Sequence, residues 1–452
     1  MEGTTPRPQL FSNRALVGLT IPIILDALLA IIAGMVDSAM VSSAGEAAVS
    51  AVSLVDAINV LCVTVFSAIA VGGSVVTAQY IGHRDYSQAC VSANQLLYAS
   101  TTVATVLMGL LLCFHSSLLK LIYGSIEADV YENAKTYFSI ALLGYPFAAI
   151  LSSSAAVLRS MGKNRQAVMI PVTFNLCNVI GNATLIYGFH LGVAGAAIAT
   201  TAGRIIASVL GLILAHNKNL PARFQRLLRF RLDWGVMKRV LRIGLANGME
   251  SGLFHIGKIM ISSLVSTFGT IAIAANSVSF TINNIGWTIV SGFGTVMLTV
   301  VGQCVGANEL EQAKANVKKM LAAATVTMLI VYSSIFFLRH QLVRLFDFGP
   351  EALSMCAYYT GVYALFSIAS LYSFSFVPVS AFRAAGDVRY AVTLAVSSMF
   401  TFRVGLCFLL NAIFPSMGLM CVCIGMGVDW AFRSVMNIIR LRSGKWLHKR
   451  LI

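Results

Sequence analysis

The 452-residue chain contains one sequence pattern twice, with the two copies 224 positions apart. In the clearest match, residues 79–89 correspond to residues 303–313, and both begin with Gln-x-x-Gly and end with Gln-Ala. The same offset aligns Arg159 with Arg383. Since an internal repeat of this length is typical of proteins built from two similar units, the chain is predicted to fold as two related halves.

The composition indicates a membrane protein. Hydrophobic residues make up 58% of the chain and charged residues 11%, whereas about 25% of an ordinary soluble protein is charged. A helix that crosses the hydrocarbon core needs roughly 20 mostly apolar residues, and twelve such segments can be placed. They lie near residues 14–40, 49–80, 89–114, 132–157, 164–188, 192–216, 238–266, 273–302, 312–338, 353–381, 388–412 and 416–440.

Each copy of the repeat holds six of these segments. Because an even number of crossings returns the chain to the side where it began, the two halves are predicted to have the same orientation. The predicted fold is an all-α membrane protein with twelve transmembrane helices in two pseudo-symmetric six-helix lobes. The predicted domains are an N-terminal lobe at 1–216, a basic cytoplasmic linker at 217–237 and a C-terminal lobe at 238–452 with a basic cytoplasmic tail.

The positions of Lys and Arg predict the orientation, because cytoplasmic loops carry an excess of these residues. If both termini are inside, the inner segments hold 24 of the 32 Lys and Arg residues. The chain is therefore predicted to be a multi-pass membrane protein with both termini in the cytoplasm. The formal charge of +15 then reflects this topology and attraction to anionic lipid, and nucleic acid is not an expected partner.

Two aspartates lie in the first predicted helix, and ionisable residues inside a membrane are functional candidates because they are costly to bury. Asp26 and Asp37 are eleven residues apart, which places both carboxylates on one helix face. Pro22 lacks the amide hydrogen that would bond to the carbonyl of Gly18, so it is a candidate hinge in this helix. The alternative interpretation is that each aspartate only forms a structural hydrogen bond with a neighbouring helix.

A second polar group follows in the fifth and sixth predicted helices. Asn178 and Asn182 share one helix face, and Thr200 follows the small residues 192–195, which permit close helix packing. Buried amides alone more often join helices than bind ions. Together with the carboxylate of Asp37, however, they offer hard oxygen ligands for Na⁺, or a polar pocket whose carboxylate takes up a proton.

The repeat offset treats the two aspartates differently. It aligns Asp37 with Ile261, so the candidate cation site is predicted in the N-terminal half only. It aligns Asp26 with Glu250, so acids occur at matching positions in both halves. Asp26 and Glu250 are therefore candidates for substrate binding or ion coupling.

Other charged residues lie on the seventh and twelfth predicted helices. His255 and Lys258 share a face of the seventh helix and are candidates for the same roles, and Lys258 is expected to pair with an acid. Such an ion pair could serve either to stabilise the structure or to gate transport, and the sequence does not distinguish the two. On the twelfth helix, Asp429 and Arg433 are spaced for a salt bridge.

Helix starts are also predicted from the repeat. Asp85 and Asn308 are expected to cap the third and ninth helices, with Gln88 and Glu311 three residues later, as in a capping box. This matching pair is interpreted as structural.

These motifs resemble the multidrug and toxic compound extrusion (MATE) family, in its bacterial branch. The order, spacing and duplication of the motifs make the match specific, and it covers essentially the whole chain. The segments that carry it are Gly34–Ser38, Gly45–Val52, Gln79–Gly82, Asn178 with Asn182, Gly192–Thr200, Asn276 and Gly302–Gly306.

The resemblance implies a secondary active antiporter that exports amphipathic, mainly cationic small organic molecules, such as drugs and toxins, in exchange for H⁺ or Na⁺. It implies alternating access of two lobes, no cofactor and no metal other than a coupled Na⁺, and a monomer is expected. The cation-coupling residues it implies are Asp37, Asn178, Asn182 and Thr200. Asn182 stands where some members have an aspartate, and loss of that carboxylate favours H⁺. The helix-7 acid of some relatives aligns nearer Phe254 than Glu250.

Three rival functions make different predictions for the sequence. A lipid-linked oligosaccharide or other lipid-precursor flippase of related architecture needs a basic central cavity. In this chain three intramembrane acids balance three intramembrane bases, namely Asp26, Asp37 and Glu250 against Lys258, Arg204 and Arg403. A membrane-embedded enzyme needs a nucleophile–base set or metal ligands, and the seven histidines form no HExxH motif, so no enzyme is expected. A channel predicts proton leak without substrate exchange.

Overall fold

The computed structural model describes residues 9–124, 127–225, 231–346 and 348–449, and within these ranges the secondary structure is helical, without β-strands. Some positions used for the orientation prediction, namely Arg7, Arg226, Arg229 and Arg450, lie outside the described residues, as does part of the predicted linker.

Fifteen α-helices are found in the described ranges. The first seven are α1 (Asn13–Ser42), α2 (Glu46–Gly82), α3 (Tyr86–Tyr123), α4 (Ala128–Leu143), α5 (Tyr145–Ser160), α6 (Asn164–Asn182) and α7 (Gly192–Ala215). The others are α8 (Trp234–Ser266), α9 (Thr270–Gly306), α10 (Leu310–Val343), α11 (Pro350–Ala369), α12 (Tyr372–Ala384), α13 (Val388–Ser398), α14 (Leu406–Ile413) and α15 (Met420–Ser443). Two π-helical segments, Ala183–Gly188 and Met399–Gly405, extend α6 and connect α13 to α14, and two short 3₁₀ turns lie at Pro415–Met417 and Lys445–His448.

These helices form twelve membrane segments. Ten helical segments of the described chain are long and apolar enough to cross a bilayer, and α4 with α5 forms an eleventh that is bent by 47°. The twelfth is α8, whose 33 residues include five charged side chains and are less apolar. The twelve-helix, all-α fold predicted from hydropathy is confirmed.

Two predicted segments are broken rather than continuous. The bend between α4 and α5 occurs at Gly144, where Pro146 follows at the start of α5 and lacks an amide hydrogen to continue the helical ladder. Between α11 and α12, Leu371 adopts a left-handed conformation with φ of +52°. Average hydropathy does not detect such breaks, because a bent helix pair is as apolar as a straight one.

The chain packs as two compact units. Among the described residues, the N-terminal unit contains those from Ile21 to Gly248, and the C-terminal unit contains residues 9–20 together with those from Met249 onwards. Both boundaries fall inside helices, α1 and α8. The lobe limits derived from the sequence, at 216 and 238, stay a prediction.

One predicted helix cap is correct and the other is displaced by one residue. Asp85 caps α3, where its Oδ1 accepts a hydrogen bond from the Gln88 amide at 3.0 Å. The residue before α10 is Glu309, and Asn308 instead adopts a left-handed conformation with φ of +58°. Arg84, 224 positions earlier, has φ of +62°, so the repeat conserves this turn and Glu309 is the true counterpart of Asp85.

The described part of the basic segment after α7 packs against α3 within the N-terminal unit. Asn94 and Gln225 exchange two hydrogen bonds, of 2.9 and 3.1 Å, and Gln95 Nε2 donates to the carbonyl of Arg231 at 2.7 Å. Phe224, next to Gln225 in the chain, is fully buried. These contacts attach the segment to the unit that precedes it.

The close approach of α2 and α8 within the N-terminal unit gives a first testable prediction. A Cβ atom added at Gly72 would lie 2.7 Å from the backbone nitrogen of Gly244. Gly72→Ala is therefore expected to lower the free energy of unfolding by about 1–3 kcal/mol, because backbone must move to accept the methyl group. Thermal unfolding in detergent measures this loss.

The matched control is Gly109→Ala on α3, where an added Cβ would have no neighbour within 4 Å. Because alanine is the better helix former, this variant should unfold at the wild-type temperature or above it. Equal stability of the two variants would contradict the inferred packing.

Candidate functional site

The four residues predicted to bind a cation form one hydrogen-bonded network in the N-terminal unit. Asn182 Nδ2 donates to Asp37 Oδ1 and, at 3.4 Å, to Asn178 Oδ1. Asn178 Nδ2 in turn donates to Thr200 Oγ1 at 2.9 Å. Both asparagines are buried and Asp37 is half-buried. The network therefore joins α1, α6 and α7.

Small residues allow α6 and α7 to approach closely enough for these hydrogen bonds. A Cβ added at Gly203 would lie 3.2 Å from the Phe174 carbonyl oxygen, and one added at Gly181 would lie 2.8 Å from the Ala199 Cβ. Larger residues would separate the helices, and the amide of α6 would then not reach the hydroxyl of α7.

One buried acceptor in this network has no partner. Asn182 uses its amide nitrogen twice, but its Oδ1 atom is buried and accepts no hydrogen bond in the structure. A buried polar atom without a protein partner is costly, and in native sites an ion or an ordered water commonly satisfies it. The donor set at this point consists of carboxylate, amide and hydroxyl oxygens, which fits Na⁺ as a hard cation and also fits a proton held by Asp37.

A second carboxylate, Asp56 on α2, lies beside this network and was not among the residues predicted from the sequence. Its Oδ1 accepts hydrogen bonds from Asn59 Nδ2 at 3.2 Å and from the Tyr137 hydroxyl at 3.4 Å. It lies within electrostatic range of Asp37. Its position inside the predicted span 49–80 was the available signal, because a carboxylate in a membrane segment is a functional candidate.

The surroundings of Asp56 are polar and contain one cation. Asn59 is buried and accepts a hydrogen bond from the Tyr145 hydroxyl at 2.8 Å. Arg204 on α7 lies within electrostatic range of Asp56 and donates to the Ala141 carbonyl at 3.4 Å. Two carboxylates and one guanidinium thus give the centre of this unit a formal charge of −1 when all three are ionised.

Asp26 does not belong to the network in the described part of the chain. Its Oδ1 is buried and has no hydrogen-bond partner, and Arg159 lies within electrostatic range of it. Pro22, the predicted hinge, lies inside α1, which is helical from Asn13 to Ser42.

Glu250 forms an ion pair in the C-terminal unit. Its Oε2 lies 2.6 Å from Arg383 Nη2, and both side chains are about four-fifths buried. Glu250 corresponds to Asp26 and Arg383 to Arg159 at the same offset of 224. Both units therefore carry an acid with an arginine nearby at matching positions. The offset of 224 matches the two acids with each other and the two arginines with each other, and only the fold shows that each acid lies near an arginine.

Lys258 has no carboxylate partner among the described residues, so the expected pairing with an acid is wrong for that part of the chain. Its Nζ lies 4.5 Å from the ring centroid of Phe280 and 5.7 Å from that of Phe254. His255, one turn earlier on α8, has its Nδ1 at 2.8 Å from the Ser251 carbonyl oxygen. The structure therefore places these two residues at separate contacts.

The predicted pair of Asp429 and Arg433 is part of a buried triad. Arg433 Nε lies 2.9 Å from Asp429 Oδ1, and Arg403 Nη2 lies 2.8 Å from Asp429 Oδ2. The side chain of Asp429 is fully buried, and both arginines are 5% exposed. Arg403 reaches the acid from the π-helical segment between α13 and α14, a contact that the spacing along α15 could not reveal.

Comparison with known proteins agrees with this architecture. The MatE family model matches residues 22–184 and 246–409. The uncharacterized transporter YisQ of Bacillus subtilis is 24% identical over 450 residues, which is 96% of this chain and 95% of YisQ. The probable multidrug resistance protein NorM of Thermotoga maritima is 23% identical, over 96% of this chain and 93% of NorM.

A solved structure has the same fold. The outward-facing conformation of a multidrug resistance MATE family transporter of the MOP superfamily aligns with a TM-score of 0.88 at 20% identity, and the alignment covers 95% of this chain and 96% of that chain. The family match includes both halves of the repeat and more than half of the chain. This multi-pass membrane protein therefore belongs to the MATE family of multidrug efflux transporters and is not an enzyme.

Proposed function

We propose that this protein is a secondary active antiporter that exports amphipathic, mainly cationic small organic molecules in exchange for H⁺ or Na⁺. The coupled cation binds at Asp37, with Asn178, Asn182 and Thr200 as its polar surroundings. The observation that carries this proposal is the buried, unpartnered Oδ1 of Asn182 beside a half-buried carboxylate. A bound Na⁺ would take this oxygen as a ligand, and a protonated Asp37 would donate a hydrogen bond to it.

Binding of the cation changes the energy of the site because it neutralises a charge in a low-dielectric environment. An ionised Asp37 favours conformations in which water reaches it, whereas the neutralised site can be closed at lower cost. Pro22 weakens the hydrogen-bond ladder of α1, and we assign it the role of the hinge at which this helix bends when the site closes. The two lobes then expose the substrate to opposite sides in turn.

Asp56 contributes a second negative charge within range of Asp37. Asn182 removes one carboxylate relative to some family members, and Asp56 supplies another from α2. The number of acids near the site is therefore no reason to favour H⁺ over Na⁺. Experiment has to show which of the two ions is coupled to transport.

The remaining proposals concern the setting of the transporter. The protein acts as a monomer in the bacterial plasma membrane, with both termini in the cytoplasm, where its basic loops face anionic lipid. The coupling ion enters from outside as the substrate leaves.

Transport in reconstituted vesicles tests the proposed function. Vesicles loaded with a fluorescent organic cation should release it faster when H⁺ or Na⁺ is more concentrated outside than inside. One ion moving down a tenfold gradient supplies about 1.4 kcal/mol, enough to sustain a tenfold substrate gradient. A protonophore should abolish the effect if the ion is H⁺ and leave it unchanged if the ion is Na⁺.

Vesicles without protein provide the baseline for this assay. Antiport is excluded if neither gradient accelerates release above the rate of passive exchange. Proton flux in the absence of any substrate would indicate a channel instead.

A further inference from the structure

The central charges of the C-terminal unit are mainly basic, in contrast to those of the N-terminal unit. Three cations and one acid occur there in the described residues, namely Lys258, Arg403, Arg433 and Asp429. Each carboxylate oxygen of Asp429 already lies at ion-pair distance from one arginine, 2.8 Å from Arg403 and 2.9 Å from Arg433. The group therefore has a formal charge of +2 when ionised, and no described acid compensates Lys258.

Lys258 and Arg403 lie against the same aromatic ring. The Cζ of Arg403 lies 5.0 Å from the ring centroid of Phe254, and the Nζ of Lys258 lies 5.7 Å from it. The two cations are within electrostatic range of each other. Arg403 also has a buried Nε–H group with no hydrogen-bond partner, on a side chain that is only 5% exposed.

These cations are specific to the C-terminal half. At the offset of 224, Lys258 corresponds to Gly34 and Arg403 to Val179. The N-terminal half folds into the matching helices without them, so the architecture that the two halves share does not by itself account for these charges. Conversely, Asp56 corresponds to Phe280, the ring that Lys258 contacts at 4.5 Å.

Two cations within electrostatic range in a membrane segment repel one another and lose hydration. Arg403 has Asp429 as a counter-charge, whereas Lys258 has none among the described residues, which makes its charge costly. An anion placed between them would relieve both costs and would accept hydrogen bonds from Lys258 Nζ and from the unpartnered Nε of Arg403. Such charge-assisted hydrogen bonds are the strong ones in proteins. The rings of Phe254 and Phe280 would contact the apolar part of the same ligand.

We propose that Lys258 and Arg403 form a binding site for the carboxylate or sulfonate group of an amphipathic organic molecule. The proposal deepens the exporter function, because it adds organic acids and zwitterions to the substrates that the N-terminal acids would favour. Only the statement that these molecules are transported rests on the proposed function. The binding site itself is tested by measuring binding in the absence of any ion gradient.

The experiment is a fluorescence titration of the purified protein in phosphatidylcholine nanodiscs with dansylglycine and with its neutral methyl ester. Wild-type protein is expected to bind the acid about tenfold more tightly than the ester, the factor that one charge-assisted hydrogen bond contributes. Lys258→Gln should remove this preference while leaving the affinity for the ester unchanged. Lys258→Arg, which keeps the charge, should restore it.

Lys120→Gln is the matched control, because the Nζ of Lys120 also lies over an aromatic ring, 5.5 Å from the centroid of Tyr131. This variant should retain the preference for the acid. Equal affinity of the wild type for acid and ester, or a preference that survives Lys258→Gln, would overturn the proposal.

A lipid phosphate is the other source of an anion at this depth. If phosphatidylglycerol in the nanodisc displaces dansylglycine from the wild type, the site takes a lipid headgroup and its assignment to soluble organic acids is wrong. Loss of gradient-driven transport with an intact preference for the acid would count against antiport alone, so the two proposals fail separately.

Discussion

Asp37→Asn is expected to abolish gradient-driven export. The amide cannot take up a proton, and it places no negative charge next to a bound Na⁺. The variant keeps the shape of the side chain and can still accept the hydrogen bond that Asn182 donates to Asp37 Oδ1, so the fold should be preserved. In the vesicle assay, a tenfold ion gradient that sustains about a tenfold substrate gradient in the wild type should sustain none in the variant.

Two further variants control this result. Asp129→Asn removes an exposed acid in the first turn of α4 and should export like the wild type, which separates the effect of the site from that of net charge. Asp37→Glu keeps the ionisable group and should retain part of the coupled transport. Unchanged gradient-driven efflux in Asp37→Asn would remove this residue from the coupling mechanism.

Asp429→Asn is expected to be the most destabilising single substitution among those considered for this chain. It leaves Arg403 and Arg433 buried without a carboxylate, and breaking a buried ion pair in this way costs about 3–5 kcal/mol. The loss should appear as a large fall in the unfolding temperature in detergent and as poor yield of folded protein. The double contact of Asp429, at 2.8 and 2.9 Å, is the reason that one acid has so large an effect.

Two comparison variants test whether the loss of stability depends on burial or follows the loss of any ion pair. Glu311→Gln breaks the exposed pair with Lys314, of 2.7 Å, and should leave the unfolding temperature unchanged because solvent screens exposed pairs. Arg433→Met removes one buried cation but leaves Asp429 paired with Arg403, so its effect should be smaller than that of Asp429→Asn. Equal effects of Asp429→Asn and Glu311→Gln would show that the triad is not buried as described.

Part of the cation site could be predicted from the spacing of residues in the sequence. Asn178 and Asn182 are one helical turn apart, so helix geometry already placed these two amides on one face. The small residues before Thr200 indicated only that its helix can pack closely against a neighbour. The contact of Asp37 with Asn182 joins positions 145 residues apart, and the resemblance to a family, rather than any periodicity, indicated it. Asp56 was missed because no local spacing connects it to the others.

The partners of the charged residues in the C-terminal unit could not be predicted from the sequence. Glu250 and Lys258 are eight residues apart on α8, yet one pairs with Arg383 and the other packs against aromatic rings. The sequence of α8 does not show which helices pack against it. Lys258 was therefore expected to pair with an acid, because that is the usual partner of a lysine in a membrane segment. The partners come from α12 and α9, and only the packing of those helices selects them.

Hydropathy, the repeat and the content of Lys and Arg were enough to predict twelve membrane helices in two similar halves, because the thickness of a bilayer imposes the length and polarity of each segment on the sequence. The tertiary structure decided which charges meet. It places two acids with one base in the N-terminal unit and three bases with one acid in the C-terminal unit, among the central residues described. Such a separation depends on contacts between distant helices, and neither composition nor spacing along one helix encodes them.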